Sequence, residues 1–181
     1  MKRLKLGIIA DDYTGASDAA GMLTEKGVRT LLSIGVPEMG ALPEGYEALV
    51  IGLPTRSVHP GRAYREVFKA ARFTAILKIP KIQVKYCSTF DSTKKGNIGP
   101  SLDAATKALS VKGTIVCPAL PVNGRTVREG RLFVNGVPLA ESPMRHHPLN
   151  PMTDSNIVRC CERSVEICTM SLRTASAWSR T

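Results

Sequence analysis

The stretch Leu4-Lys5-Leu6-Gly7-Ile8-Ile9-Ala10-Asp11-Asp12-Tyr13-Thr14-Gly15-Ala16 decides how this chain is read. An apolar run stops abruptly at two aspartates, and a small-residue segment then leads through residues 21–26 to Gly27. That order predicts a strand, a tight turn and a helix, with Gly27 as the helix stop. Outward from it, residues 29–34 and 48–53 read as strands, the first closed by Gly35 and Pro37 and the second by Pro54-Thr55-Arg56-Ser57. Residues 60–72 read as a helix with Pro60 in its first turn. Residues 82–86 form a strand that runs into a polar turn over residues 87–99. A helix over residues 100–109 and a further buried strand over residues 113–117 complete the series.

Short apolar strands alternating with helices predict an α/β fold: a mostly parallel, Rossmann-like sheet with helices on both faces. After Pro118 the pattern changes. Residues 131–134 and 137–139 flank Asn135-Gly136, a pair suited to a type I′ hairpin turn, and a loop-rich part follows. In parallel sheets ligands bind beyond the carboxyl ends of the strands. The unusual polar residues fall there: Asp11 and Asp12 after the first strand, Arg56 after the third, Asp91 and Ser92 after the next. Segments far apart in sequence are thus expected to converge on one crevice.

Composition narrows the ligand. The chain has 181 residues, 43% hydrophobic and 22% charged, in the range of a globular protein. Its formal charge is +10, but Lys and Arg are scattered and aromatic residues make up only 5%, too few for a base-stacking platform. An anionic small molecule fits this balance better than nucleic acid. Asp11 and Asp12 cut the first apolar run short of a signal sequence, and no run reaches the ~20 residues of a membrane helix. The expectation is a cytoplasmic chain without membrane attachment. Five cysteines, an odd count, argue against a disulfide framework, and neither Cys160-Cys161 nor His146-His147 has metal-ligand spacing. No metal held by this chain is expected.

Each candidate group carries a structural alternative. Asp11 and Asp12 can accept hydrogen bonds from a substrate hydroxyl at a helix N-terminus, with Thr14 and Gly15 supplying backbone N–H groups; an aspartate helix cap is the other reading. Arg56 can fork two hydrogen bonds to a carboxylate or be a surface arginine. Lys85, Ser88, Thr89, Asp91 and Ser92 crowd hydroxyls and charge into one turn that can hold a polyhydroxylated anion, or simply form a soluble turn; Lys94 and Lys95 read as solvated. Arg125 can neutralise an anion or remain at the surface. Neither the P-loop pattern nor the dinucleotide Gly-x-Gly-x-x-Gly pattern is present.

Taken together these pieces resemble the four-carbon acid sugar kinase family. The resemblance is carried by residues 9–18, Lys85-Tyr86-Cys87-Ser88-Thr89-Phe90-Asp91-Ser92-Thr93, Gly96-Asn97-Ile98-Gly99-Pro100, Cys117-Pro118-Ala119, Pro121-Val122-Asn123-Gly124-Arg125-Thr126-Val127, Glu141-Ser142, and residues 147–149 with 151–154. The central Cys-Ser-Thr-Phe-Asp-Ser-Thr is similar to the 3-oxo-tetronate kinase branch; an erythronate or threonate kinase and a stand-alone acid-sugar-binding module are the alternatives. The resemblance implies a substrate-binding domain over residues 1–159 and a separate ATP-binding domain. It implies phosphate transfer to the 4-hydroxyl with ATP and Mg2+, Asp12 as general base or hydroxyl-orienting group, and Arg56 on the substrate carboxylate. Asp11, Thr14, Gly15, Lys85, Ser88, Thr89, Asp91, Ser92 and Arg125 would line the substrate site, and a homo-oligomer is compatible with it.

The resemblance stops near Arg159. Residues 160–181 hold three of the five cysteines and the only tryptophan, and their apolar positions form no helical stripe. The shift reads as a changed reading frame and a loosely packed tail, with the nucleotide-binding domain absent. The chain by itself is therefore expected to bind substrate weakly and to catalyse nothing.

Overall fold

The computed structural model describes residues 4–40, 42–91 and 96–162. Four strands form a parallel sheet: β1 (Leu6–Ala10), β2 (Thr30–Ile34), β3 (Ala48–Gly52) and β4 (Lys81–Lys85), in the order β2-β3-β1-β4. β1 and β3 are the central strands, and their sequences are nearly continuous apolar runs. Every residue of β3 is buried, as a strand covered on both faces requires. The pleat sends alternate residues to opposite sides. Ile9, Leu49 and Ile51 pack with Val67, Ala70, Ala71, Ala104 and Ala108 of helices α2 (Pro60–Ile76) and α3 (Ile98–Leu109). Ile8, Ala10 and Val50 pack on the other face against Ala16, Ala19 and Leu23 of helix α1 (Tyr13–Glu25).

The crossovers from the adjacent strands β1 and β3 thus leave on opposite faces, through α1 and α2. That divergence opens a crevice at the carboxyl ends of these strands. α1 begins hard against the end of β3. A Cβ on Gly52 would lie 3.0 Å from the Ala16 Cβ and 3.2 Å from Tyr13 Cδ1, so a side chain there would push the helix start off the sheet.

A second, antiparallel sheet follows in the order β5-β6-β7: β5 (Arg125–Arg128), β6 (Arg131–Val134) and β7 (Val137–Pro138). The expected turn at Asn135-Gly136 is present, with φ of 51° and 82°, the two positive values a type I′ turn needs. Glu129-Gly130 makes a similar turn between β5 and β6, with φ of 49° and 72°. Leu132, Val134 and Leu139 from this part pack with Phe90, Ile98, Leu102, Val116, Met152 and Ile157 into a second core. α3 therefore serves both cores, its two flanks bridging the sheets. A short helix α4 (Ile157–Glu162) closes the described chain.

One expected element is not a strand. Residues 113–117 form no ladder: Val116 is buried, but Ile115 is 86% exposed, and the Cys117 N–H donates to Tyr86 Oη at 3.0 Å instead of to a strand neighbour. The apolar run Thr114-Ile115-Val116 satisfies β propensity, but it delivers only one side chain to the second core. Strand β5 went unread because its alternating Arg125-Thr126-Val127-Arg128 carries too little apolar signal. The expectations for Ser92, Lys94, Lys95 and residues 163–181 lie outside the described residues.

Candidate functional site

The site is built on the backbone of Asp11. Its N–H donates to the Lys85 carbonyl at the end of β4, and its carbonyl accepts from the N–H groups of Thr55 and Arg56, each at 3.0 Å. One residue thereby ties together the carboxyl ends of three strands. The side chains follow from that weave. Arg56 Nε and Nη2 donate to Asp11 Oδ2 and Oδ1 at 3.0 and 2.7 Å, a bidentate fork. Arg56 Nη1 lies 2.6 Å from Asp12 Oδ2. Asp12 Oδ1 accepts from the Gly15 N–H at 2.7 Å and so caps α1. Both readings of Asp12 are therefore realised in one side chain: it caps the helix and it holds charge at the crevice.

Burial and charge compete at Asp11. The residue is 8% exposed. Burial is the dominant influence and pushes its carboxyl above the ordinary value, against the Arg56 hydrogen bond and charge, which favour the anion. Arg56 is held firmly cationic by Asp11 and Asp12, although its own burial opposes this.

Lys85 ends β4 beside them. Its amino group donates to the Tyr86 carbonyl at 3.2 Å and lies 2.9 Å from where a Cβ on Gly15 would stand. The same Cβ would lie 2.5 Å from Asp12 Oδ1. Gly15 is thus the gap through which Asp12 reaches the helix N-terminus and into which the Lys85 ammonium also points. In Gly15→Ala both side chains must move and the cap is lost. We expect a stability loss of about 1 kcal/mol from the cap together with weakened anion binding, read by urea unfolding and ligand titration. Unchanged values for both would mean that this close packing has no role.

The cleft beside these groups is lined by Asp11, Arg56, Val84, Tyr86, Asp91, Asn97, Ile98 and Ser101. Among the residues expected from sequence, Asp11, Arg56 and Asp91 share it, with Asp12, Gly15 and Lys85 adjoining. Asp91 Oδ1 accepts from Asn150 Nδ2. Thr89 is buried, its hydroxyl 3.0 Å from Cys87 Sγ; Ser88 is half-buried in the same turn and Thr14 is exposed on α1. Arg125 lies outside the cleft lining: its Nη1 donates to the Asn123 carbonyl of its own turn. Asn97 and Asn150 were not singled out as site residues by sequence reasoning. The helix expected over residues 100–109 begins at Ile98, with Asn97 at its N-cap, and nothing local in the sequence shows what the Asn97 amide reaches.

Among the described residues no group of three or more His, Cys, Asp or Glu side chains is placed to hold a metal ion. No helix among them is long and apolar enough to cross a membrane.

The sequence profile of the sugar-binding N-terminal domain matches residues 6–177, so it runs past Arg159. The chain is 52% identical over 159 residues to the 3-oxo-tetronate kinases of Brucella melitensis and Escherichia coli, covering 88% of this chain and 36% and 41% of those proteins. It thus spans about two-fifths of the length of these curated relatives. Its fold is similar to a crystal structure described as a putative tRNA synthase from Salmonella typhimurium, with TM-score 0.87 and 49% identity over 91% of this chain and 39% of that one. It is also similar to a domain of unknown function from Bordetella bronchiseptica, seen with bound citrate in a domain-swapped dimer, with TM-score 0.76 and 32% identity over 87% of this chain and 39% of that one.

Proposed function

Because this chain belongs to the sugar-binding N-terminal domain family, we propose that its cleft binds a four-carbon acid sugar, 3-oxo-tetronate, and presents its terminal hydroxyl for phosphorylation. The observation that carries this reading is the Asp11–Arg56–Asp12 cluster at the diverging crossovers of β1 and β3, with the Lys85 ammonium beside it. Carboxylates accept hydrogen bonds from hydroxyls, and an ammonium beside a helix N-terminus attracts a carboxylate. A small polyhydroxylated acid supplies both. The citrate in the Bordetella bronchiseptica structure and the names of the relatives support the same ligand class.

The geometry redistributes the roles expected from sequence. Nε, Nη1 and Nη2 of Arg56 are all engaged by Asp11 and Asp12, so Arg56 orients the two carboxylates in preference to clamping a substrate carboxylate. Lys85 takes that carboxylate, assisted by the Gly15 end of α1. Asp12 receives the reacting hydroxyl; each of its oxygens holds one donor and keeps a lone pair for another. Asp91 completes the cleft from the turn after β4, and Arg125 has no part in it.

ATP with Mg2+ is the phosphate source in this reading. The described residues do not fit that group: the cleft carboxylates are committed to Arg56, and no metal-ligand cluster adjoins them. In this reading the donor is held by another part of the full-length enzyme. What this chain's residues do is bind, orient the hydroxyl and exclude water.

Calorimetric titration of the purified chain with 3-oxo-tetronate, L-threonate and D-erythronate tests the reading. We expect weak saturable binding, lost in Lys85→Met, and no phosphorylated product when ATP and Mg2+ are added. Absence of binding to every four-carbon acid, or ATP-dependent product from this chain, would overturn it. Tight binding without ATP would favour a stand-alone sensing module.

A further inference from the structure

Asn97 stands at the N-cap of α3, where an asparagine side chain ordinarily accepts a hydrogen bond from the helix's own first N–H groups. Here it makes no such bond. Its Nδ2 instead donates to three carbonyls of one turn: Thr55 at 2.7 Å, Arg56 at 3.2 Å and Val58 at 2.7 Å. Three carbonyl partners fix which end of the amide is nitrogen, since a carbonyl only accepts. The other end is therefore an acceptor, and among the described residues it is buried with no partner. Asn97 is 6% exposed and lines the same cleft as Asp11, Arg56 and Asp91. A buried acceptor left unmade costs about 1–3 kcal/mol, and such a group at a cleft wall is explained when a ligand brings the donor.

We propose that Asn97 Oδ1 accepts a hydrogen bond from one hydroxyl of the bound acid sugar and so selects for a hydroxylated ligand, while its Nδ2 holds the turn that carries Arg56. The proposal rests on the acid-sugar reading of the cleft and adds a residue to it. The two halves of the amide have separable consequences. Loss of the turn anchor lowers affinity for every ligand of the cleft by a common factor. Loss of the acceptor lowers it only for ligands that carry the hydroxyl.

The test is a cycle of ligand and protein deletions on this chain. L-Threonate is compared with 2,4-dihydroxybutyrate, 3,4-dihydroxybutyrate and 2,3-dihydroxybutyrate, each lacking one hydroxyl. Wild type, Asn97→Ala and Asn97→Asp are titrated at millimolar ligand by 1H–15N spectra. In wild type, removal of one hydroxyl, either the 2- or the 4-hydroxyl, the two that 3-oxo-tetronate also carries, is expected to weaken binding about tenfold. That preference should vanish in Asn97→Ala and persist in Asn97→Asp, which keeps an acceptor but not the anchor. Preferences for the other hydroxyls should be the same in all three. Should the variants fail to fold, the 13Cγ resonance of Asn97 in wild type gives the answer: it should move with threonate and stay in place with the one critical deoxy acid. Equal hydroxyl preferences in wild type and Asn97→Ala, or a 13Cγ shift indifferent to the missing hydroxyl, overturn the proposal and leave acid-sugar binding standing. Failure of all four acids and of 3-oxo-tetronate to bind wild type overturns both.

Discussion

Arg56→Met is expected to destabilise the chain by about 3 kcal/mol at pH 7, and the loss should shrink as the pH falls. The guanidinium is the only group that meets both Asp11 and Asp12 at ion-pair distance among the described residues. Removing one partner of a buried pair leaves an uncompensated charge, which costs about 3–5 kcal/mol. Arg56 keeps 23% side-chain exposure, so the lower end of that range applies. For a chain of this length the melting temperature should drop by about 6–12 °C.

The pH dependence follows from the direction of the Asp11 shift. Burial already holds its folded-state pKa above the ordinary value, while Arg56 pulls it down. Without Arg56 it rises further. A carboxyl whose folded pKa is raised contributes its stability below the unfolded value and loses it as pH rises through the folded value. Acid therefore restores Arg56→Met by letting Asp11 take a proton. Urea unfolding of wild type and variant at pH 7 and pH 4.5 measures the convergence. At pH 7, Asp11→Asn in the Arg56→Met background should recover most of the loss. A difference that does not change with pH, or no benefit from Asp11→Asn, would show that Asp11 is not the charge at stake.

The second large effect is on turnover. Asp12→Asn, introduced at the equivalent position of a full-length 3-oxo-tetronate kinase, is expected to lower kcat by about 10²–10⁴-fold, as loss of an acid–base group does. Its Oδ1 cap to Gly15 can be retained by an asparagine oxygen, but the amide nitrogen then faces Arg56 Nη1, donor against donor. A modest stability loss should therefore accompany the variant, and kcat is compared on folded protein. What disappears is the anion that receives the hydroxyl proton and balances Arg56. The equivalent Lys85→Met should behave differently. An ammonium that holds the substrate carboxylate binds ground and transition states alike, so KM should rise while kcat stays near its starting value. Steady-state kinetics on the two variants separates the roles. Comparable modest changes in both parameters for both variants would place the reacting hydroxyl elsewhere.

The parallel sheet, its helices and the convergence of Asp11, Asp12 and Arg56 were legible in the sequence because each depends on local pattern. Apolar runs of strand length, punctuated by Gly and Pro and ending in charge, place polar groups at strand ends wherever the sheet is parallel. The Asn135-Gly136 turn was legible for a similar reason: two adjacent positive φ values restrict the choice of residue. The chain's pattern misled at residues 113–117, where β propensity was present and a ladder partner was not, and it gave no sign of strand β5.

Tertiary structure alone decided who pairs with whom. Arg56 reads from sequence as a free cation at a strand end; only the fold of the Asp11 backbone across three strands turns its guanidinium onto two carboxylates. Lys85 thereby becomes the cation beside the helix terminus, a role that its place at the end of the alternating strand β4 does not distinguish from that of the other candidates. Asn97 reads from sequence as part of a polar turn, yet its amide is spent on the turn that carries Arg56, 41 residues earlier in the chain. The physical reason is the same in each case. Propensity and periodicity act over a few residues, whereas the hydrogen bonds that assign a polar side chain its task join segments brought together only when both cores have closed.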